Sequence, residues 1–251
     1  ELTQSNIKTN TLRRKIACIK VFYNYLKYQH IIEENPFNQL RFQFRTEKIL
    51  PKTIPYDILK NIFSYLEQRV VISKTDYQKQ KAERNLLIIS LLLSTGIRIS
   101  ELCHIHLKDI NLSNKTLHII GKGKKERILF LGDQTTFNLL ETYINKNGKE
   151  SNDFLFPGKH SPKPLSEQSV RLILKRIVEQ NGLSKTITPH MFRHSFATML
   201  LDNDVDIRYI QQILGHSSIS ITQIYTHVSH SKQKEILSSF NPMSVIHSEI
   251  E

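Results

Sequence analysis

Between residues 188 and 228 the chain gathers side chains suited to handling a phosphate: His190, Arg193, His216 and Tyr225. A guanidinium presents a planar fork of donors to non-bridging oxygens. An imidazole exchanges protons near neutrality, and an activated phenol can attack phosphorus. Two further stretches carry reactive cations. Arg98 stands in Thr95-Gly96-Ile97-Arg98-Ile99-Ser100-Glu101-Leu102, and Lys122 in Gly121-Lys122-Gly123-Lys124-Lys125-Glu126-Arg127. Each has an ordinary structural explanation when taken singly. Arg98 and Glu101 could form a surface pair of little worth, and Lys122 could sit in a solvated turn. Tyr225, among Ile221, Ile224 and Val228, could be a core aromatic. His190 and His194 are four apart, a zinc spacing, but a third ligand and an acidic general base are missing. No metal site is expected.

The elements that must position these groups can be read from spacing. Pro189 suits the first position of a helix, with Thr188 before it as N-cap. Phe192, Phe196, Met199 and Leu200 then define its buried face. His190 and Arg193 are three apart and should point out of its first turn, where free N–H groups attract an anion. Leu214-Gly215 reads as a helix stop before His216. The apolar run 86–93 predicts a central core helix, ended by Gly96 next to Arg98. Residues 116–120 and 127–131 predict two strands of a hairpin whose glycine-bearing tip projects Lys122. Helices are expected at 56–66, 135–145 and 167–181, the last capped by Ser166, with 74–83 a loop or a helix start. Gln168, Arg171, Lys175 and Arg176 would line one side of the helix at 167–181. Residues 7–29 predict a helix with Leu12, Ile16, Ile19, Phe22 and Leu26 as its apolar stripe and a lysine- and arginine-rich remainder. A short amphipathic helix at 231–240 carries Ile236, Leu237 and Phe240, and Asn241-Pro242 ends it.

A chain of 251 residues is long enough for one large domain or two smaller ones. Its 35 Lys and Arg against 23 Asp and Glu give +12, a bias that favours a polyanionic partner. The mean hydropathy of −0.33 fits a soluble protein. The run 86–93 is far too short to span a bilayer, and no signal peptide is visible. Cys18 and Cys103 fall inside apparent helices, which suggests reduced thiols and a cytoplasmic location.

Three ordered motifs change the weight of the individual residues: His190-Met-Phe-Arg193-His-Ser-Phe-Ala-Thr, Leu214-Gly-His216-Ser-Ser and Thr222-Gln-Ile-Tyr225-Thr-His. Together they resemble the C-terminal signature of the tyrosine recombinases, the phage-integrase and Xer-type family. The segment from Thr95 to Leu102 resembles that family's first arginine motif, and the segment from Gly121 to Arg127 its lysine hairpin. The resemblance implies a mainly α fold with a small antiparallel β-sheet, a catalytic domain preceded by part of a helical core-binding domain. The expected boundaries are 1–46 for the partial DNA-binding domain, 47–53 for a linker and 54–251 for the catalytic domain with its tail helix. Only about half of such an N-terminal domain is present, so an N-terminally truncated member is expected. In the family the two domains close as a clamp around the duplex.

The resemblance also implies roles. Tyr225 would be the nucleophile that forms a 3′-phosphotyrosyl intermediate, with Arg98 and Arg193 on the phosphate. Lys122 would protonate the leaving 5′-oxygen, with Lys124 as competitor. His190 would accept the tyrosyl proton and His216 would bond the phosphate, while Glu101 would orient Arg98. Lys124, Lys125, Arg127, Arg171 and Lys175 would contact DNA. The bond energy is retained in the intermediate, so no cofactor is required. The implied partners are double-stranded DNA with recombination sites and other protomers, as a tetramer on synapsed DNA, with exchange of the C-terminal helix and a nucleoid-associated location. A type IB topoisomerase and a non-catalytic DNA-binding protein of the same fold are the alternatives.

Overall fold

The computed structural model describes residues 9–40, 52–121, 125–147, 152–159, 162–183, 186–215 and 230–247. Chain contacts divide it into two compact units, Glu1–Leu50 and Pro51–Glu251. The division falls inside the linker expected at 47–53.

In the first unit, α1 (Thr9–Tyr28) is followed by a 3₁₀ turn, Pro36–Asn38. Of the expected stripe, Leu12, Ile16, Ile19 and Leu26 are half-buried, as is Tyr23, while Phe22 is 56% exposed. Tyr23 thus takes the place expected for Phe22, because steps of four, three, four and three hold one face better than Ile19 to Phe22 to Leu26. The Tyr23 ring lies 5.4 Å from that of Phe37. Asn35 secures the turn, accepting from the Phe37 amide and donating to Asn24 Oδ1.

The second unit is built on α3 (Asp76–Thr95), which packs against α2 (Tyr56–Val71), α5 (Gln134–Asn147) and α7 (Pro189–Asp202). Every residue from Leu86 to Thr95 is buried. A helix apolar on all sides belongs inside a domain, and this one is enclosed by neighbours on several faces. Of the polar stretch 74–83, the residues from Asp76 onward form the first turns of this helix, and the Thr75 hydroxyl caps it by accepting from the Gln78 amide. Gly96 ends α3 at φ 61, and a Cβ there would meet Leu214 Cδ2 and Phe196 Cδ1 at 2.6 Å. Only glycine provides both that dihedral and that space.

Arg98 is the N-cap of the short helix α4 (Ile99–Cys103), and Glu101 closes the turn by accepting from the Arg98 amide at 3.0 Å. Next come β1 (Ile110–Asn111), β2 (Thr116–Ile120) and β3 (Glu126–Phe130), an antiparallel sheet in the order β1-β2-β3. Thr116 pairs with Phe130 and Ile120 with Glu126, so the hairpin register matches the expected strands to within one residue. β1 is an addition, too short to leave a periodic signal.

The helix α6 (Glu167–Gln180) starts at Ser166, whose hydroxyl accepts from the Ser169 amide. Then come α7 and α8 (Ile207–Leu214), the latter capped by Asp206 and ended by Gly215 at φ 64. Pro189 opens α7 as expected, but Thr188 makes no side-chain cap bond. The expected buried face holds for Phe192, Phe196 and Leu200, with Met199 half-buried.

The tail forms two helices, α9 (His230–Ser239) and α10 (Pro242–His247). Asn241-Pro242 therefore ends one helix and starts another. Leu237, Met243 and Ile246 are fully buried against this same chain, with α10 on α3, α5 and α7, and α9 on β3. Asn241 Nδ2 donates to the Ser94 carbonyl, and the Ser244 hydroxyl donates to Asp133 Oδ1 at 3.1 Å. In the single chain the tail docks in cis, since this socket matches both its apolar and its polar groups. No described helix is long and apolar enough to cross a membrane.

Candidate active site

α3, α4, α7, α8 and β3 converge where α8 ends. A helix C-terminus leaves carbonyls without intrahelical partners and carries partial negative charge. Here three guanidiniums meet three consecutive carbonyls. Arg127 Nε donates to Ile213 O at 3.0 Å. Arg193 donates to Leu214 O at 2.6 Å and to Gly96 O at 2.7 Å. Arg98 donates to Leu214 O at 3.4 Å and to Gly215 O at 3.2 Å. Residues far apart in sequence are thereby brought to one carbonyl, Leu214 O, two positions before His216.

Glu101 lies under this cluster with its side chain 4% exposed. Arg98 donates to its Oε1 at 2.9 Å. Arg127 grips both oxygens, at 3.0 and 2.8 Å. Burial pushes the Glu101 carboxyl up, but the bonds and charge of Arg127, with the Arg98 amide and guanidinium, outweigh it and hold it below the ordinary value. Arg193 shows the opposite balance. Burial, then the neighbouring charges of Arg98 and Arg127, lower it to about 10, against the pull of Glu101. Three cations around one carboxylate leave positive charge that a bound anion would relieve.

The exposure of these groups is uneven. Arg193 is 7% exposed, so the expectation that it points outward from the first turn of α7 is corrected. Its position three residues past His190 is not enough to share that residue's surface, because the guanidinium turns inward to Gly96 and Leu214. The Arg98 side chain is one-third exposed. His190 is exposed and lines a groove of about 530 Å³ with Ile99, Thr188, Arg171 and Lys175. His194 is exposed as well, and burial together with His190 and Arg193 lowers its pKa. Among the described residues, no group of His, Cys, Asp or Glu side chains could hold a metal ion.

The cations expected on DNA divide into two kinds. Arg171 and Lys175 stand on the open face of α6, paired with Glu167 and Glu179 one turn away. Such pairs are weak and yield readily to phosphate. Lys125 is exposed beside the hairpin turn, its carbonyl accepting from the Gly121 amide. Arg127 differs, because its side chain is 12% exposed and its donors are engaged inside the protein. The strand alternation held that signal: Arg127 shares a face with buried Leu129, so its side chain points to the core side. Lys122, Lys124, His216 and Tyr225 lie outside the described residues.

The chain is similar to known proteins over most of its length. Residues 63–232 match the phage integrase family. The chain is 51% identical over 244 residues to a tyrosine recombinase of Agathobacter rectalis, covering 96% of this chain and 79% of that protein. It is 34% identical over 249 residues to the tyrosine recombinase XerC of Bacillus subtilis, covering 96% and 78%. Among solved structures, the XerH site-specific recombinase bound to its difH substrate, a pre-cleavage complex, superposes with a TM-score of 0.66 at 25% identity, over 95% of this chain and 67% of that one. Motifs, fold and relatives coincide: the chain belongs to the phage integrase family, and it is a tyrosine recombinase, an enzyme of DNA strand recombination.

Proposed function

We propose that the cluster at the end of α8 receives the scissile phosphate of a duplex recombination site, and that Tyr225 attacks it. A phenol with a pKa of about 10 is a weak nucleophile at neutral pH, and a phosphodiester anion repels an attacking oxyanion. Arg98 and Arg193 offset both obstacles by placing positive charge where the pentavalent transition state becomes more negative. The Tyr225 oxygen bonds to phosphorus, and the bond to the 5′-oxygen breaks. His190 accepts the phenolic proton, while Lys122, or Lys124 in its place, protonates the departing 5′-oxygen. His216 bonds a phosphate oxygen. The product is a 3′-phosphotyrosyl linkage that a 5′-hydroxyl of another strand reopens, restoring a phosphodiester and freeing Tyr225. Lys125, Arg171 and Lys175 hold the flanking backbone.

The observation that carries this reading is the convergence of Arg98 and Arg193 on one carbonyl, two residues before His216. Strand exchange needs two sites, and we propose a tetramer acting on cytoplasmic, nucleoid DNA. The socket that takes α9 and α10 in cis would there take the same helices from a neighbouring protomer. The test is denaturing electrophoresis after incubation with DNA carrying the recombination site. Wild-type protein should leave a denaturation-resistant adduct, and Tyr225→Phe should bind the same DNA but leave none. An adduct persisting in Tyr225→Phe sinks the assignment.

A further inference from the structure

Arg193 donates to neutral carbonyls, whereas both terminal nitrogens of Arg127 are held by a carboxylate, which neutralises its charge and makes it a poor partner for DNA phosphate. Those two nitrogens chelate Glu101, and the Arg127 Nε holds Ile213 O. A Cβ placed on Gly215 would lie 3.1 Å from its Nη1, so the terminus of α8 is closed down on it. We infer that Arg127 is a positioning residue for the strand-transfer reaction: it neutralises Glu101 and ties β3 to the end of α8, so that Arg98 and Arg193 remain available to a phosphate. This rests on the reading that Arg98 and Arg193 act on the scissile phosphate.

The physical reason lies in how one carboxylate is shared. Glu101 accepts from both Arg98 and Arg127, and it is buried. A buried carboxylate that loses one of two cations draws harder on the other. Without Arg127, Glu101 would hold Arg98 as its sole guanidinium partner among these three arginines, and the charge presented to a phosphate would fall. The α8 terminus would also lose its tether to β3, the strand that leads out of the lysine hairpin. A lysine cannot reproduce both functions, because a point charge offers no fork for two carboxylate oxygens and a carbonyl together.

The experiment uses a duplex selected from a random-sequence pool by the wild-type chain. Adduct formation is followed in single turnover at saturating protein, and affinity is measured across a salt series. Arg127→Gln is expected to slow adduct formation about 100-fold. Its affinity should stay within about twofold, with the salt dependence unchanged. Adding Glu101→Gln to Arg127→Gln should recover about tenfold in rate, since the uncompensated carboxylate is then gone. Arg127→Lys should fall between wild type and Arg127→Gln, and it carries the same comparison if Arg127→Gln does not fold. A phosphate-contact role predicts instead a salt slope lower by about 1 with an unchanged single-turnover rate, which overturns the inference. A double variant no faster than Arg127→Gln alone also overturns it, because a purely structural arginine gives no recovery. Wild-type protein that forms no adduct at all would sink the functional reading itself. A normal adduct rate in Arg127→Gln sinks the positioning role alone.

Discussion

Around Leu214 O, charge is held at a density that only a few partners can tolerate. Arg193 is buried with two cationic neighbours, an electrostatic strain in which burial and those charges lower its pKa to about 10. Strain of this kind suits a site whose ligand is anionic. Arg98→Ala and Arg193→Ala should each slow adduct formation by about 10²–10³-fold, the usual effect of removing a transition-state donor, with a modest change in duplex affinity. Recombination near the wild-type rate would exclude the residue concerned. Glu101 has the complementary dependence on pH. Its folded-state carboxyl is held below the ordinary value of 4.5, so it contributes stability that is present above that value and lost as pH falls through the lower one. Thermal unfolding of Glu101→Gln should therefore show a weaker acid-side decline than wild type, and parallel acid-side curves would contradict this. Another tyrosine, Tyr143, is 7% exposed, and burial raises its pKa against the pull of Arg84. That makes it a poor rival to Tyr225.

At the scale of elements, the tail is the part most changed by the structure. Its sequence shows one short amphipathic helix, which in isolation would be marginal in water. The fold shows two, closed over Gly132 and Asp133. A Cβ on Gly132 would run into the Leu237 carbonyl, so the strand end and the tail have no spare room. Leu237→Ala should cost about 2–5 kcal/mol by the usual cavity effect, read from denaturant unfolding. A loss near zero would mean that α9 is not docked in solution. Removing residues 231–251 should accordingly lower the stability of the monomer as well as pairing between protomers. The long features were legible in the sequence: the apolar run of α3, the stop at Gly96, the hairpin and the cap at Ser166 each leave a strong local signal. The five-residue helix α4, the two-residue strand β1 and the six-residue α10 are too short for periodicity to show. The inward turn of Arg193 was hidden for another reason. Its cause is the carbonyls of Gly96 and Leu214, distant in the chain, and residue type alone favours a solvated arginine.

For the whole molecule, a net charge of +12 supports attraction to a polyanion, but the proposed chemistry calls on a small part of it. Surface cations such as Arg171 and Lys175 pair with acids on their own helix and can be re-paired by a duplex. In the proposed function, Arg98 and Arg193 serve one phosphate. This separation explains how affinity and rate can respond to different substitutions. It also leaves one claim on which the account depends, that the phosphate held by Arg98 and Arg193 becomes joined to Tyr225. The direct measurement is peptide mapping of the protein–DNA adduct after nuclease trimming and proteolysis. A single modified peptide carrying a nucleotide 3′-phosphate on Tyr225 is expected. A nucleotide found on another residue, or attached through its 5′-phosphate, would contradict that claim.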